Sequence, residues 1–348
     1  MSAAIHTAKT NRARLHRAAL AGLAGLAAGS LLLGLPAAAQ ASPAAQASPA
    51  ATASPAATAP ADATAQIQAL LDNPVAGTVN LPSGTFTIRP ALQLKQGEKI
   101  VGHNTTLKVA ASSGDYVAVL QGAAPATDLS GLSITGVTFD QNAAGNPVRN
   151  VQKLYHGQPR FVVRVVTGSG ITITGDKFLN TNNINTIATG GGTSNVTVSG
   201  NTFTNVNLPW HDHSAVYTSG QNATITNNTF TAAHGITAIE VHGNGALVTG
   251  NTIRGFYRGV NIVANHTTFS GNTITGSLGP VELWSTEGRG LSNVTVTGNK
   301  LGQNVADWAS YLKTVRIPMV PKAQTQQVFT APTSTFPLSQ ITVRGNHG

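Results

Sequence analysis

Short runs of alternating apolar and polar residues recur along most of the chain. Ile236–Gly243, ITAIEVHG, shows the pattern best. Alternation places Ile239 and Val241 on one side of a strand, and Ala238, Glu240 and His242 on the other. Related runs are Ala215–Gly220 upstream, and Gly259–Val263 and Pro280–Trp284 downstream. Stacked in register, these four strands put Tyr217, Glu240, Asn261 and Glu282 in one outward column. Ser219, His242, Val263 and Trp284 form the next.

A second run repeats with a fixed ending. Leu132–Phe139 (LSITGVTF), Ile171–Phe178 (ITITGDKF), Val196–Phe203 (VTVSGNTF) and Ala223–Phe230 (ATITNNTF) are copies of one unit. Ala246–Ile253 (ALVTGNTI), Thr267–Ile274 (TTFSGNTI) and Val294–Leu301 (VTVTGNKL) continue it, and Ile341–Asn346 (ITVRGN) closes the series. Counted from the Gly, or from Asn227 where it replaces Gly, most spacings are 21 to 27 residues. The steps from Gly136 to Gly175 and from Gly298 to Gly345 are longer and contain inserted loops.

A period of this size, with two or three short strands per unit, is a solenoid signature. The Leu-x-x-Leu-x-Leu pattern of a leucine-rich horseshoe is absent. The physics fits a parallel β-helix, in which each coil turns its Val and Ile inward. The Gly-Asn corner supplies a residue that tolerates the left-handed conformation. Asn201, Asn228, Asn251, Asn272 and Asn299 recur at this corner, where stacked amides hydrogen-bond along the axis. Their expected role is structural.

The flanks read differently. Lys9, Arg12, Arg14 and Arg17 precede an apolar run from Ala18 to Leu35 and a small-x-small site at Ala39-Gln40-Ala41. Residues 1–41 are expected to be a signal peptide, removed on export, rather than a retained membrane anchor. Residues 42–61 are an Ala-Ser-Pro-Thr linker with no large apolar residue to bury. Residues 62–348 form the β-helix domain. Asp62–Asn73 opens it as a short helix, with Asp62 as N-cap and Ile67, Leu70 and Leu71 on one face. Asp307–Leu338 breaks the period. It is expected to carry a short helix at Asp307–Leu312 within a C-terminal cap spanning about 303–348, with a last strand at Gln340–Arg344.

Composition supports an all-β fold with many turns. Charged residues are only 9% of the 348, and 37 are Gly. With no cysteine there is no disulfide framework and no thiolate site. The formal charge of +9 overstates the mature chain. Without the four basic residues of the leader, 17 basic residues face 12 acidic ones, a balance of +5. That gives no support to a nucleic-acid partner.

The repeats, together with Asp62–Ile67, Gly77–Val79 and Leu81–Phe86 (LPSGTF), resemble the pectate-lyase-like superfamily of secreted polysaccharide-active proteins and tailspikes. The resemblance covers residues 62 to 301. It implies an all-β, right-handed parallel β-helix with a short N-terminal capping helix. It also implies an extracellular location and a polysaccharide partner, with the chain a monomer or a trimer. It leaves the reaction open, because the superfamily holds lyases, hydrolases, epimerases and binding proteins. The Asn-Thr-Asp and Gly-His-Gly signatures of polygalacturonases are absent. The Asp-Pro-His of mannuronan epimerases has only a similar run here, Trp210-His211-Asp212-His213, without the proline.

The chemistry is expected on the outward column. Coils stack about 4.8 Å apart, so Glu240 and Glu282, two coils apart, have backbones roughly 9.6 Å apart. This meets the ~6.5–9.5 Å carboxyl separation of inverting glycosidases once side chains lean together. Asp212, in the loop before the Tyr217 strand, offers a second partner for Glu240. His213 can serve a lyase or epimerase as base, and Arg164 or Lys153 can neutralise a uronate.

His211, His234 and His242 fall on neighbouring coils as candidate donors to a sugar. Trp210, Tyr217, Tyr257 and Trp284 are candidate stacking platforms. Arg254, Arg258 and Arg289 border the face and suit an acidic substituent, and Asn261 lies between the two glutamates. The insert Asn142–Arg160, with Arg149, Tyr155, His156 and Arg160, is expected at the margin of the same face. No third ligand accompanies His211 and His213, so neither a metal nor a cofactor is expected. Three classes stay open: an inverting glycoside hydrolase, a uronate lyase or C5-epimerase, and a non-catalytic carbohydrate-binding protein.

Overall fold

Each repeat folds as short strands joined by tight corners, and successive repeats pair in parallel. The computed structural model describes residues 61–148, 158–206, 214–286, 290–314, 326–331 and 334–348. The leader and most of the linker lie outside these residues, as do Trp210, His211, Asp212, His213 and Arg289. So do Arg149, Lys153, Tyr155 and His156 of the insert.

The consensus runs make one sheet. Ser133–Asp140, Thr172–Thr174, Thr197–Ser199, Thr224–Thr226, Leu247–Thr249, Thr268–Ser270, Leu291–Thr297 and Leu338–Arg344 stack one on the next, all parallel. Their central residues face inward, so Ile134, Ile173, Val198, Ile225, Val248, Phe269 and Val296 form one buried column. The residues after the corner make a second sheet. Its inward column begins with Phe139, Phe178, Phe203 and Phe230, stacked at centroid distances of 5.3, 4.8 and 4.5 Å. Repeating one residue type at one position of each coil lets identical rings stack face to face along the axis.

The corner behaves as the sequence predicts. Gly175, Gly200, Gly250, Gly271, Gly298 and Gly345 have φ between 62° and 68°, and Asn227 takes the same slot at φ 55°. Asparagine tolerates this conformation better than other L-residues, which explains the single exchange. Next to it runs the amide ladder. The side-chain Oδ1 of Asn228 accepts both the backbone N–H and the Nδ2 of Asn201, each at 3.0 Å. The pattern repeats from Asn228 to Asn251, Asn272, Asn299 and finally Asn346. Each Nδ2 also reaches a backbone carbonyl, such as Ile173 for Asn201 and Val198 for Asn228.

Helix α1, Thr64–Asp72, buries Ile67 and Leu71 on the first coil. Its N-cap position is Ala63, not Asp62. Asp62 sits one residue earlier and accepts from the backbone N–H of Thr64 at 2.9 Å. Helix α2, Val305–Tyr311, lies where the sequence places a helix. It packs on the flank of the solenoid: Trp308 is fully buried against Tyr257 and Leu278, and its indole donates to Gly276 O at 2.8 Å. The last strand is Leu338–Arg344. At this end Leu283, Val328, Phe329, Leu338, Ile341 and Val343 help line a hollow of about 550 Å³. Among the described residues no helix is long and apolar enough to cross a membrane.

Candidate functional site

A third sheet carries the predicted column. Its strands are Leu92–Leu94, Ala118–Gly122, Phe161–Ser169, Asn185–Ser194, Ser214–Thr218, Thr229–Val241, Thr252–Ile262, Gly279–Leu283 and Val328–Thr330. The register pairs Tyr217 with Glu240, Glu240 with Asn261, and Asn261 with Glu282. This is the column read from alternation. It extends further than the sequence analysis took it. Upstream lie Ala188, Arg164, Gln121 and Gln93, and downstream lies Phe329. Gln93 and Gln121 were legible in principle, since each sits among apolar neighbours in LQL and VLQG.

The two glutamates have different partners. His242 lies two residues beyond Glu240, on the same face, and its Nε2 is 2.8 Å from Glu240 Oε1. The His242 ring rests on Tyr217, with centroids 4.9 Å apart. Glu282 is held by Arg258, from the preceding coil, with Nη1 2.9 Å from Oε2. Arg258 therefore serves the carboxylate directly.

The face is covered rather than open. Glu240 is 8% exposed, Asn261 1% and Glu282 4%. Burial pushes the Glu282 carboxyl above its ordinary range, and the charge of Glu240 adds to the rise, while Arg258 opposes it. The two glutamates thus interact across the intervening coil. Burial likewise raises the Tyr257 hydroxyl. Asn261, between them, has neither its Oδ1 nor its Nδ2 hydrogen-bonded.

Several expected binding residues sit elsewhere. His234 stacks on Tyr311 at 3.7 Å, meets Trp308 edge-on, and lies 3.3 Å from Asp307. It belongs to the junction with α2 and lies in the stretch where the register slips between Thr231 and Gly235. Trp284 follows the predicted second column, but it is buried with Val263 and Ala331. The final coil, whose Ala331 N–H donates to Leu283 O, brings that alanine against the indole, so the expected sugar-stacking face is occupied. Tyr257 packs against Trp308.

Arg160, at the end of the insert, is also buried. Its guanidinium donates to Asn146 O and Gly114 O and pairs with Asp115. These bonds tie Arg160 to Asn146 and to the turn at Gly114 and Asp115. Arg164 stays in the column, half-buried, three coils before Glu240, and burial lowers its pKa. Among the described residues no cluster of His, Cys, Asp and Glu is arranged to hold a metal.

The family described as right-handed β-helix region matches residues 91–301, more than half of the chain. The chain belongs to that family. Membership agrees with the pectate-lyase-like resemblance and with the parallel three-sheet coil described above. No curated protein matches the chain. Among solved structures, a tailspike protein variant of E. coli bacteriophage HK620 aligns with a TM-score of 0.58 at 18% identity. The alignment covers 82% of this chain and 53% of that one. A second HK620 tailspike variant, in complex with a pentasaccharide, aligns with a TM-score of 0.58 at 16% identity. That alignment covers 82% of this chain and 63% of the other. This chain therefore matches less than two thirds of each tailspike. At these identities the likeness to this right-handed β-helix is one of fold.

Proposed function

We propose that this chain is an exported polysaccharide-binding β-helix protein that hydrolyses its ligand with inversion, using Glu240 and Glu282. The observation that carries the proposal is the pair itself: two buried, interacting carboxylates on one column, two coils apart. Their backbones stand about 9.6 Å apart by strand spacing, close to the ~6.5–9.5 Å carboxyl separation with which inverting glycosidases accommodate a water.

Their environments suggest the division of roles. Glu282, with its pKa raised, is the general acid. It gives its proton to the glycosidic oxygen as the bond from that oxygen to the anomeric carbon breaks. Glu240, oriented by His242, is the general base. It takes a proton from water as the water oxygen bonds to the anomeric carbon from the opposite face. The cycle leaves Glu240 protonated and Glu282 ionised, and exchange with solvent restores both. Tyr217 and Arg164 extend the binding line upstream. The leader at residues 1–41 supports export, and the pentasaccharide complex of a β-helix tailspike supports a saccharide ligand.

A second reading is binding without catalysis. It is favoured by the pairing of each carboxylate, Glu240 with His242 and Glu282 with Arg258, at low exposure. Such pairs also occur as purely structural features.

The test is turnover of polygalacturonate, alginate and xylan by the parent, Glu240→Gln and Glu282→Gln proteins. New reducing ends without ultraviolet absorbance, of inverted anomeric configuration and lost in both variants, support the hydrolase. Absorbance of unsaturated uronate that survives both changes would move the chemistry to a lyase centred on Asp212 and His213. Binding with no product from any protein supports the second reading.

A further inference from the structure

The corner asparagines of this chain set a standard that Asn261 fails at both ends of its amide. Asn201, Asn228, Asn251, Asn272 and Asn299 are all buried, and each bonds through both Oδ1 and Nδ2. Asn261 is buried to the same degree, yet neither atom of its amide has a partner. A buried amide is costly when unbonded, and native structures rarely leave both ends unsatisfied.

Position makes this more than a packing defect. In the register Asn261 lies directly between Glu240 and Glu282, one coil from each. Neither carboxylate compensates it, since the one faces His242 and the other Arg258. The amide thus offers one acceptor and one donor at the midpoint of the carboxylate pair. A water, or the hydroxyl of a sugar, has the matching donor and acceptor.

We propose that Asn261 is a positioning residue that holds the attacking water between Glu240 and Glu282. The proposal rests on the hydrolase reading above. Oδ1 of Asn261 accepts one O–H of the water, whose other O–H points to Glu240. Nδ2 is left to donate to a hydroxyl of the bound saccharide. A lone pair of the water then faces the anomeric carbon.

The experiment compares the parent protein with Asn261→Leu and Asn261→Ser on whichever of polygalacturonate, alginate or xylan the parent cleaves, beside a high-resolution crystal structure of the parent alone. Leucine keeps the shape and removes the unbonded amide, so Asn261→Leu is expected to melt no lower than the parent. Its kcat is expected to fall at least tenfold with KM little changed. Asn261→Ser, whose hydroxyl still bonds a water, is expected to recover part of the loss. The crystal structure is expected to show a water bonded to the Asn261 amide. A rise in KM with kcat retained would overturn water positioning and assign the amide to a sugar hydroxyl. An unchanged kcat and KM in Asn261→Leu would overturn any ligand role. If Glu240→Gln still loses turnover in that case, the hydrolase reading stands without Asn261. If the parent cleaves nothing, both fall together.

Discussion

Arg258 and Glu282 meet across adjacent coils, Nη1 to Oε2 at 2.9 Å, with both side chains almost wholly withdrawn from water. Neither charge has solvent to fall back on. Replacing Arg258 alone leaves a buried carboxylate without its cation, which costs roughly 3–5 kcal/mol. Arg258→Met is therefore expected to lower the urea midpoint sharply. The double variant Arg258→Met, Glu282→Gln removes both charges and is expected to recover most of the loss. Recovery of nothing would mean that the arginine acts through packing and not through its charge.

The same pair governs pH dependence. Arg258 is the group that opposes the rise of the Glu282 carboxyl. In an Arg258→Gln protein that still folds, Glu282 is expected to hold its proton to higher pH. The basic limb of any activity profile then moves upward relative to the parent. An unmoved or downward-moved limb would remove Glu282 from the acid role.

Asp176 occupies the ladder position of the coil before Asn201, where an amide would be expected. Its Oδ1 accepts from Val137 N at 2.8 Å, as the ladder amides accept from the coil before them, while its Oδ2 is buried and unbonded. In the neighbouring rung the corresponding atom is a donor, Nδ2 of Asn201, directed at two oxygens. A carboxylate there lacks the hydrogen, and a carboxylic acid has it. Burial accordingly raises Asp176 from 3.8 to about 7, with the Val137 and Thr174 N–H groups opposing the rise.

The sign follows from the raised value. The folded chain binds this proton more tightly than the unfolded chain does. The cost of ionisation is absent below pH 4, grows as pH rises from about 4 to 7, and is complete above 7. Asp176→Asn supplies the missing donor at every pH. It is expected to be more stable than the parent by about 2–4 kcal/mol at pH 8, with the difference vanishing towards pH 4. Melting curves across this range check it, and a pH-independent difference would refute the assignment.

Phe203 lies within the ring stack, fully buried between Phe178 and Phe230. Phe203→Ala opens a cavity between rings fixed by the coil spacing and is expected to cost about 3–5 kcal/mol. Phe203→Ile, which copies the Ile253 and Ile274 that continue the same column, is expected to cost much less. Denaturant unfolding of the two variants separates ring stacking from simple filling of space.

The corner offers a backbone test. Gly250 has φ 65°, and a Cβ there would press on Asn227 Oδ1. Gly250→Ala is expected to destabilise by about 1–2 kcal/mol through the left-handed conformation alone. Asn227→Gly is expected to be nearly neutral. Equal losses at both sites would show that the Asn227 side chain, and not the backbone conformation, sets the corner.

Much of the fold was legible because a solenoid converts sequence period directly into contacts. Once the Gly-Asn corner is aligned, the strand register follows, since each coil pairs with the next in sequence. That is why Tyr217, Glu240, Asn261 and Glu282 could be placed in one column from alternation, and why the asparagine ladder was foreseen. The failures lie where this local rule stops. His234, in the slip between Thr231 and Gly235, stacks on Tyr311 of α2. Trp284 continues the expected outward column, but a later coil brings Ala331 against it.

The sequence by itself determined the coil, its inward columns and the neighbourhood of the two glutamates, because those depend on a repeat written into the chain. Only the tertiary structure decided the electrostatics. It paired Glu282 with Arg258, withdrew Glu240, Asn261 and Glu282 from solvent, and left the Asn261 amide without a partner. Burial and pairing depend on what covers a face and on the reach of side chains across coils, and neither is encoded in the period of the repeat.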